Sequence, residues 1–312
     1  MIKMLERVLV IKHGALGDWI LATGAFKLIR AHHSTAEITL LTNTGYGTLA
    51  KDCTWFDQIQ FDDRKGVINT FKVIRKLQKK AFHVVYDLQR SQRTSIYYRW
   101  LKNSKLYWSG KVKGCEGYFI DIPDAHVLER MVLQLKASQI YAFPTPDVAW
   151  LKTDIQRIKP QKRYALIIPG AAKHRPQKRW TVSGYVTCVQ WLASQDIVSI
   201  LIGTVQEREM IQMIIQQSGT EMVSSLYSRP FSELLELARH ATIVLGSDTG
   251  PMHLAALSDT PCLVFFCSRE SSVTKSKPWG KEVMTIHTSS LTELCADTVI
   301  ASIEAVISRE PV

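Results

Sequence analysis

Short β-branched runs alternate with amphipathic helices, a proline-rich break interrupts them in mid-chain, and glycine-bearing loops follow several of the runs. Together these features predict an α/β chain of two Rossmann-like, doubly wound domains facing across a cleft. The 312 residues exceed the roughly 250–300 that one core usually supports, which fits two domains. Arg7–Lys12 reads as a buried strand ended by Gly14. A helix over 18–30 follows, with Trp19, Ile20, Ala22, Phe26 and Ile29 near helical spacing. Strands are expected at 37–42 and 57–61, then a helix over 67–80 with Phe71, Ile74 and Leu77 inward and Lys72, Arg75, Lys76 and Lys79 outward. A strand at 82–88, a helix over 91–102, a short strand at 106–108 and a helix over 125–141 complete the first half. Residues 143–163, with Pro144, Pro146 and Pro160, read as a linker, giving domains of 1–155 and 156–312. The alternation then restarts: strands at 164–168, 197–202, 242–245, 262–266 and 283–286, and helices over 182–194, 207–217, 231–239, 252–257 and 292–307.

Composition removes several function classes. A hydrophobic share of 46% is too high for a disordered chain, and 16 Gly with 11 Pro exclude a collagen-like one. No apolar stretch reaches the ~18 residues of a membrane span, and Val8–Ile11 is cut by Lys12 and His13 before it could serve a signal peptide. The cysteines Cys53, Cys115, Cys188, Cys262, Cys267 and Cys295 show no CxxC spacing and read as buried free thiols of a cytoplasmic protein. The net charge of +11 is uneven: residues 1–155 carry 23 basic and 14 acidic groups, residues 156–312 carry 16 and 14. Arg64 to Lys113 holds fourteen Lys/Arg, interleaved with aromatics, and one acid, Asp87. Such a stretch is either a solvated face or the contact for an anionic partner: nucleic acid, lipid or a phosphorylated substrate.

Because ligands of doubly wound sheets sit at the carboxyl ends of strands, three loops carry the candidate chemistry. In Lys12-His13-Gly14-Ala15-Leu16-Gly17-Asp18 the glycines Gly14 and Gly17 permit a tight turn, but the spacing is not GxGxxG, so a dinucleotide fingerprint is absent. Asp18 fits either a helix N-cap or a carboxylate that takes a proton from a substrate hydroxyl. In Pro169 to Trp180 the cations Lys173, Arg175, Lys178 and Arg179 fall within seven residues without an acid, which suits a phosphate or an exposed basic loop. In Gly246 to His253, Pro251 marks a helix start, where Asp248 or Thr249 caps the helix or its amides meet an anion.

Taken in order, Gly14–Asp18, the PGA…KxW segment Pro169–Trp180 and the DTGxxHLAA segment Asp248–Ala256 resemble glycosyltransferase family 9, the ADP-heptose:lipopolysaccharide heptosyltransferases. The resemblance runs from Val8 to about Gly280. It implies a GT-B fold, with an acceptor-binding N-terminal domain and a nucleotide-sugar-binding C-terminal domain. It implies Asp18 as general base, and Lys178, Glu207, Asp248, Thr249, Gly250 and His253 on the donor side. Arg90 and Arg93, after the strand at 82–88, resemble acceptor-side basic positions. The implied reaction is inverting, metal-independent transfer of heptose from ADP-heptose to the lipopolysaccharide inner core. No cofactor is expected, no DxD is present, and peripheral contact with the cytoplasmic membrane is expected from the basic first half. A GT-B enzyme using another nucleotide-sugar and a basic nucleic-acid-binding protein are the alternatives. Departures from the family pattern are Cys267 with Ser268-Arg269, the extra charge of Lys173-His174-Arg175, and His13 where a small or hydroxylated residue is usual.

Overall fold

Two six-stranded parallel sheets organise the chain, one on each side of a division between Trp150 and Leu151. The computed structural model describes residues 5–170 and 175–308. Unit 1 runs β1 (Arg7–Ile11), α1 (Leu16–Leu21), α2 (Thr23–His32), β2 (Glu37–Thr42), α3 (Gly47–Asp52), β3 (Gln58–Phe61), α4 (Gly66–Lys80), β4 (Val84–Asp87), α5 (Gln92–Leu101), β5 (Tyr107–Gly110), β6 (Gly117–Tyr118) and α6 (Val127–Ala137). Unit 2 runs β7 (Tyr164–Ile168), α7 (Val182–Ser194), β8 (Val198–Gly203), α8 (Arg208–Ser218), β9 (Val223–Tyr227), α9 (Phe231–Arg239), β10 (Ile243–Ser247), α10 (Gly250–Ala255), β11 (Cys262–Cys267), α11 (Val273–Ser276), β12 (Val283–Thr288) and α12 (Ala296–Ile307).

The strand orders are β3-β2-β1-β4-β5-β6 and β12-β11-β10-β7-β8-β9, so each unit is a Rossmann-type sheet wound outward from its first strand. The chain reverses direction of winding beside β1 and beside β7, and each reversal opens a crevice at the carboxyl ends of the strands. β1 and β7 are buried on both faces, which is why their sequences are continuous apolar runs rather than alternating ones. In unit 2, Trp180 is buried edge-on to Tyr185 and Phe265, with ring centroids 4.7 and 5.1 Å away. Its Nε1 donates to Leu294 O at 2.8 Å, fixing the loop that carries Lys178.

Several local expectations change. The helix over 18–30 is two helices that meet at Ala22, with the Thr23 hydroxyl donating to Ile20 O at 2.7 Å. Phe71 is exposed, and Val73 takes its place in the core beside Ile74 and Leu77. Helix α6 is four residues shorter at its C-terminal end than the 125–141 span, and the 292–307 helix starts at Ala296 after a 3-10 turn at Leu291–Glu293. β6, β9, α3 and α11 had no counterpart in the sequence pattern. Five cysteines are buried thiols, but Cys295 is exposed. Among the described residues, no helix is long and apolar enough to cross a membrane.

Candidate active site

In unit 1 the polypeptide leaves β1 through Lys12, His13 and Gly14 before entering α1. Gly14 has φ +118°, and a Cβ there would collide with the Tyr46 ring, so only glycine fits this turn. Asp18 is not the N-cap: that place belongs to Ala15, and Asp18 lies in the first turn of α1 with its carboxylate unused in capping. A first-turn carboxylate is favoured by the helix dipole. Asp18 sits in a field of three cations, Lys12, Arg90 and Arg130. Lys12 is fully enclosed, its Nζ donating to Leu88 O at 3.3 Å. Burial pulls its ammonium down to about 8, against the opposing pull of Asp18 and Asp87. Asp87 closes β4 in the core, and burial pushes its carboxyl up.

The two arginines expected on the acceptor side have different fates. Arg90 takes a left-handed backbone conformation, φ 54°, held by its N–H donating to Asp87 Oδ1 at 2.8 Å. Its guanidinium lies over the Phe119 ring at 6.0 Å, and one of its terminal nitrogens is buried without a partner. Arg93 instead donates from Nε and Nη2 to Asp62 at 2.8 and 2.7 Å. The fully buried Asp62 also accepts from the Tyr97 hydroxyl and the Arg64 N–H, and His13 Nε2 stands 3.2 Å away. Burial pushes the Asp62 carboxyl up, but His13, Arg93 and Tyr97 together hold it far below the usual range. Arg93 is therefore bound to the frame of the site, whereas Arg90 presents unsatisfied donor capacity. Arg130 is clamped by Asp121 at 2.7 and 2.6 Å, and with Lys111 it holds the Asp121 carboxyl at about 2.

In unit 2 the strand ends of β7, β8 and β9 and the starts of α9 and α10 enclose a cavity of about 300 Å³. Its walls include Ile168, Ile202, Phe231, Leu234 and Pro251, with Glu207, Ser228 and Arg229 as polar members. An apolar slot with a few polar groups is the usual form of a small-ligand site. Glu207 precedes α8 and accepts from the Thr204 N–H at 2.9 Å and the Thr204 hydroxyl at 2.5 Å. Gly170 leaves room for it, since a Cβ there would lie 3.0 Å from Glu207 Cγ. Thr249 and Pro251 line the same cavity, and Thr249 is the N-cap of α10 without a side-chain capping bond. Its Oγ1 is buried and unpartnered.

Beside this cavity, Lys178 Nζ donates to Asp248 Oδ2 at 2.6 Å, both side chains being buried. His253 Nε2 stands 3.7 Å from Asp248 Oδ1. Burial pushes the Asp248 carboxyl up, and His253 and Lys178 outweigh it and hold the group below its ordinary value. Lys178 keeps two further ammonium protons for another acceptor. Sequence positions 70 residues apart thus meet at one strand edge. Lys173 and His174 lie outside the described residues. Arg175 Nε is 3.8 Å from Glu270 Oε2, and Cys267 ends β11 with its Sγ donating to Ser289 O at 3.1 Å. Among the described residues, no three His, Cys, Asp or Glu side chains converge to hold a metal ion.

The family model of glycosyltransferase family 9 (heptosyltransferase) matches residues 70–299. The chain belongs to glycosyltransferase family 9. This family 9 protein is accordingly a glycosyltransferase. It is 20% identical over 271 residues to the lipopolysaccharide core heptosyltransferase OpsX of Haemophilus influenzae, covering 81% of this chain and 77% of that one. The crystal structure of a family 9 glycosyl transferase from Veillonella parvula matches with a TM-score of 0.81 at 15% identity, over 97% of each chain. The heptosyltransferase WaaC of Escherichia coli, solved with ADP, matches with a TM-score of 0.74 at 16% identity, over 96% of this chain and 99% of that one. The two Rossmann-like sheets of this family 9 member have the GT-B architecture of those structures.

The three motif loops point to Asp18, Lys178 and Asp248, and the family resemblance adds Glu207; all four lie on segments that follow strands. The sequence motifs do not point to Lys12, Asp62, Asp87 or Tyr97, which the structure places around these loops. The signal for Lys12 in the sequence is a lysine ending an apolar strand run. Asp62 had no local signal, because its partners Arg93 and Tyr97 lie more than thirty positions away in the chain.

Proposed function

We propose that this family 9 glycosyltransferase moves a heptosyl group from ADP-heptose to the inner core of a lipopolysaccharide acceptor, with inversion and without a metal. The observation that carries the donor assignment is the apolar cavity of unit 2, flanked by Glu207 and by the Lys178–Asp248 pair. The nucleoside fills the slot, with Glu207 accepting from ribose hydroxyls. The diphosphate takes the remaining Lys178 protons and the amides at Thr249 and Gly250, where α10 begins. Asp248 accepts from hydroxyls of the donor sugar, and His253 holds it in place. The solved relative named for its ADP complex supports adenine as the base.

On the acceptor side, Asp18 takes the proton of the acceptor hydroxyl as its oxygen bonds to the anomeric carbon. The bond from that carbon to the phosphate oxygen breaks on the opposite face, and ADP leaves with the electron pair. Lys178 and the α10 amides meet the charge that develops on the diphosphate, the electrostatic role a divalent ion fills elsewhere. Arg90 receives phosphates or carboxylates of the acceptor, and Arg93 braces that wall through Asp62. A lipid-linked acceptor puts the enzyme at the cytoplasmic face of the inner membrane as a peripheral protein, consistent with OpsX being named for the lipopolysaccharide core.

A thermal-shift panel of ADP, UDP and GDP sugars tests the donor. Selective stabilisation by ADP-heptose is expected, and stabilisation by UDP-sugars alone would remove the assignment. Full activity in EDTA is expected in the same assay series. Activity that is lost in EDTA and returns with one divalent ion would remove metal independence.

A further inference from the structure

The outward side of α4 and α5 exposes large apolar residues that neither the core nor the site requires. Ile68, Phe71 and Trp100 are 75%, 46% and 52% exposed, and Val67 and Ile96 are exposed beside them. Val67 and Phe71 are one helical turn apart on α4, as are Ile96 and Trp100 on α5. The Phe71 and Trp100 rings meet edge to face with centroids 5.6 Å apart, which joins the two helices' apolar residues into one patch. Solvated surfaces of single chains rarely keep such a cluster without a use.

The charges around it identify the occupant. Lys72, Arg75, Lys76 and Lys79 on α4, and Arg99 and Lys102 at the end of α5, are all exposed. The only acid between Arg64 and Lys105 is Asp87, which is fully buried, so this stretch offers no exposed carboxylate. A second copy of the chain would bring the same cations against each other. A lipid interface instead supplies phosphates for the lysines and arginines, an acyl boundary for Ile68 and Phe71, and the headgroup level that suits an indole.

We propose that the outward face of α4 and α5 is an interfacial docking surface for an anionic bilayer. α4 follows β3, and α5 follows β4 and the Arg90 loop, so both helices start at the carboxyl edge of the sheet that also carries Asp18. Val67 and Ile68 thus enter the membrane beside the edge where a lipid-linked saccharide is processed. The purpose of the surface rests on the acceptor proposed above, but its existence is testable without any sugar.

The test is partition of the full-length protein onto phosphatidylcholine vesicles with and without phosphatidylglycerol, with no nucleotide-sugar present. Wild-type protein is expected to bind only the anionic vesicles. Its tryptophan emission should shift to the blue and be quenched by chain-brominated lipid, and Trp100→Phe should lose that signal while still binding. Ile68→Glu/Phe71→Glu should lower partition by about tenfold or more, as expected for withdrawing two large apolar groups. Lys72→Glu/Arg75→Glu, a second variant outside the core, should do likewise. Stabilisation by ADP-heptose, measured on the same variants, should stay as in wild type, so a failed donor assignment reads out separately. Wild-type indifference to phosphatidylglycerol, or variants that bind vesicles like wild type, would overturn the proposal. So would a dimer, or an RNA complex, that Ile68→Glu/Phe71→Glu abolishes while vesicle binding persists.

Discussion

Unit 2 pairs the opposite charges of its site with one another, whereas unit 1 crowds like charges and leaves one of them unsatisfied. In unit 2, Lys178 sits on Asp248, His253 flanks the same carboxylate, and Glu207 is held by Thr204. In unit 1, Lys12, Arg90 and Arg130 surround Asp18, Lys12 is held below its ordinary charge range, and an Arg90 nitrogen is buried without a partner. The two sheets have the same strand order, so the difference lies in the loops rather than the fold. A prepaired, largely apolar cavity suits a ligand that is the same at every turnover. A cationic wall with spare donors suits an anionic ligand that brings its own charge.

The largest expected effect separates the two arginines of unit 1. Arg93→Ala leaves Asp62 buried without its two guanidinium hydrogen bonds and should destabilise the protein by about 3–5 kcal/mol in denaturant unfolding. If Arg93→Ala were neutral for stability and harmful only to acceptor KM, the division between frame and wall would fail. Next comes the pH dependence of Lys12. Its folded value of about 8 lies below the ordinary 10.5, so between these pH values the unfolded chain holds a proton that the folded protein has released. Raising the pH through that window should therefore stabilise wild type relative to Lys12→Met, by at most about 3 kcal/mol at ~1.4 kcal/mol per pKa unit. A constant difference from pH 7 to 11 would mean that Lys12 is not under strain. Arg90→Ala should raise acceptor KM by roughly 10- to 100-fold, from about 1.5–3 kcal/mol of charged hydrogen bonding, with ADP affinity unchanged. Glu207→Ala is the smallest change: about 1 kcal/mol of ADP affinity by calorimetry and no effect on acceptor KM. A reversed pattern, in which Glu207 governs the acceptor and Arg90 the nucleotide, would exchange the roles of the two units.

The parts of the fold that were legible in the sequence are those with a strong local cause. Helix α7 was bounded correctly because Thr181 caps it through the Gly184 N–H at 3.0 Å, and α9 because Pro230 precedes it. β9 was invisible because Val-Ser-Ser-Leu-Tyr forms a half-exposed edge strand with little apolar pattern. Two-residue β6 has no pattern to find. Helical spacing alone puts Phe71 inward. Spacing does not tell a core-facing apolar residue from one on the solvent face, where Phe71 meets Trp100. For the site, residues on glycine-bearing strand-end loops were readable, since those loops must face the crevice. Asp62 and Tyr97 were not, because their meaning exists only once β3 and α5 are brought together.

The most direct measurement is ADP release on mixing ADP-heptose with an inner-core acceptor lacking that heptose, for wild type and Asp18→Asn. Wild type should release ADP in step with heptosylated product. Asp18→Asn should lose about 10²- to 10⁴-fold in kcat while its calorimetric affinity for ADP stays as in wild type. An Asp18→Asn enzyme with near-normal kcat, or a wild type that turns over only with another nucleotide-sugar, would contradict the account.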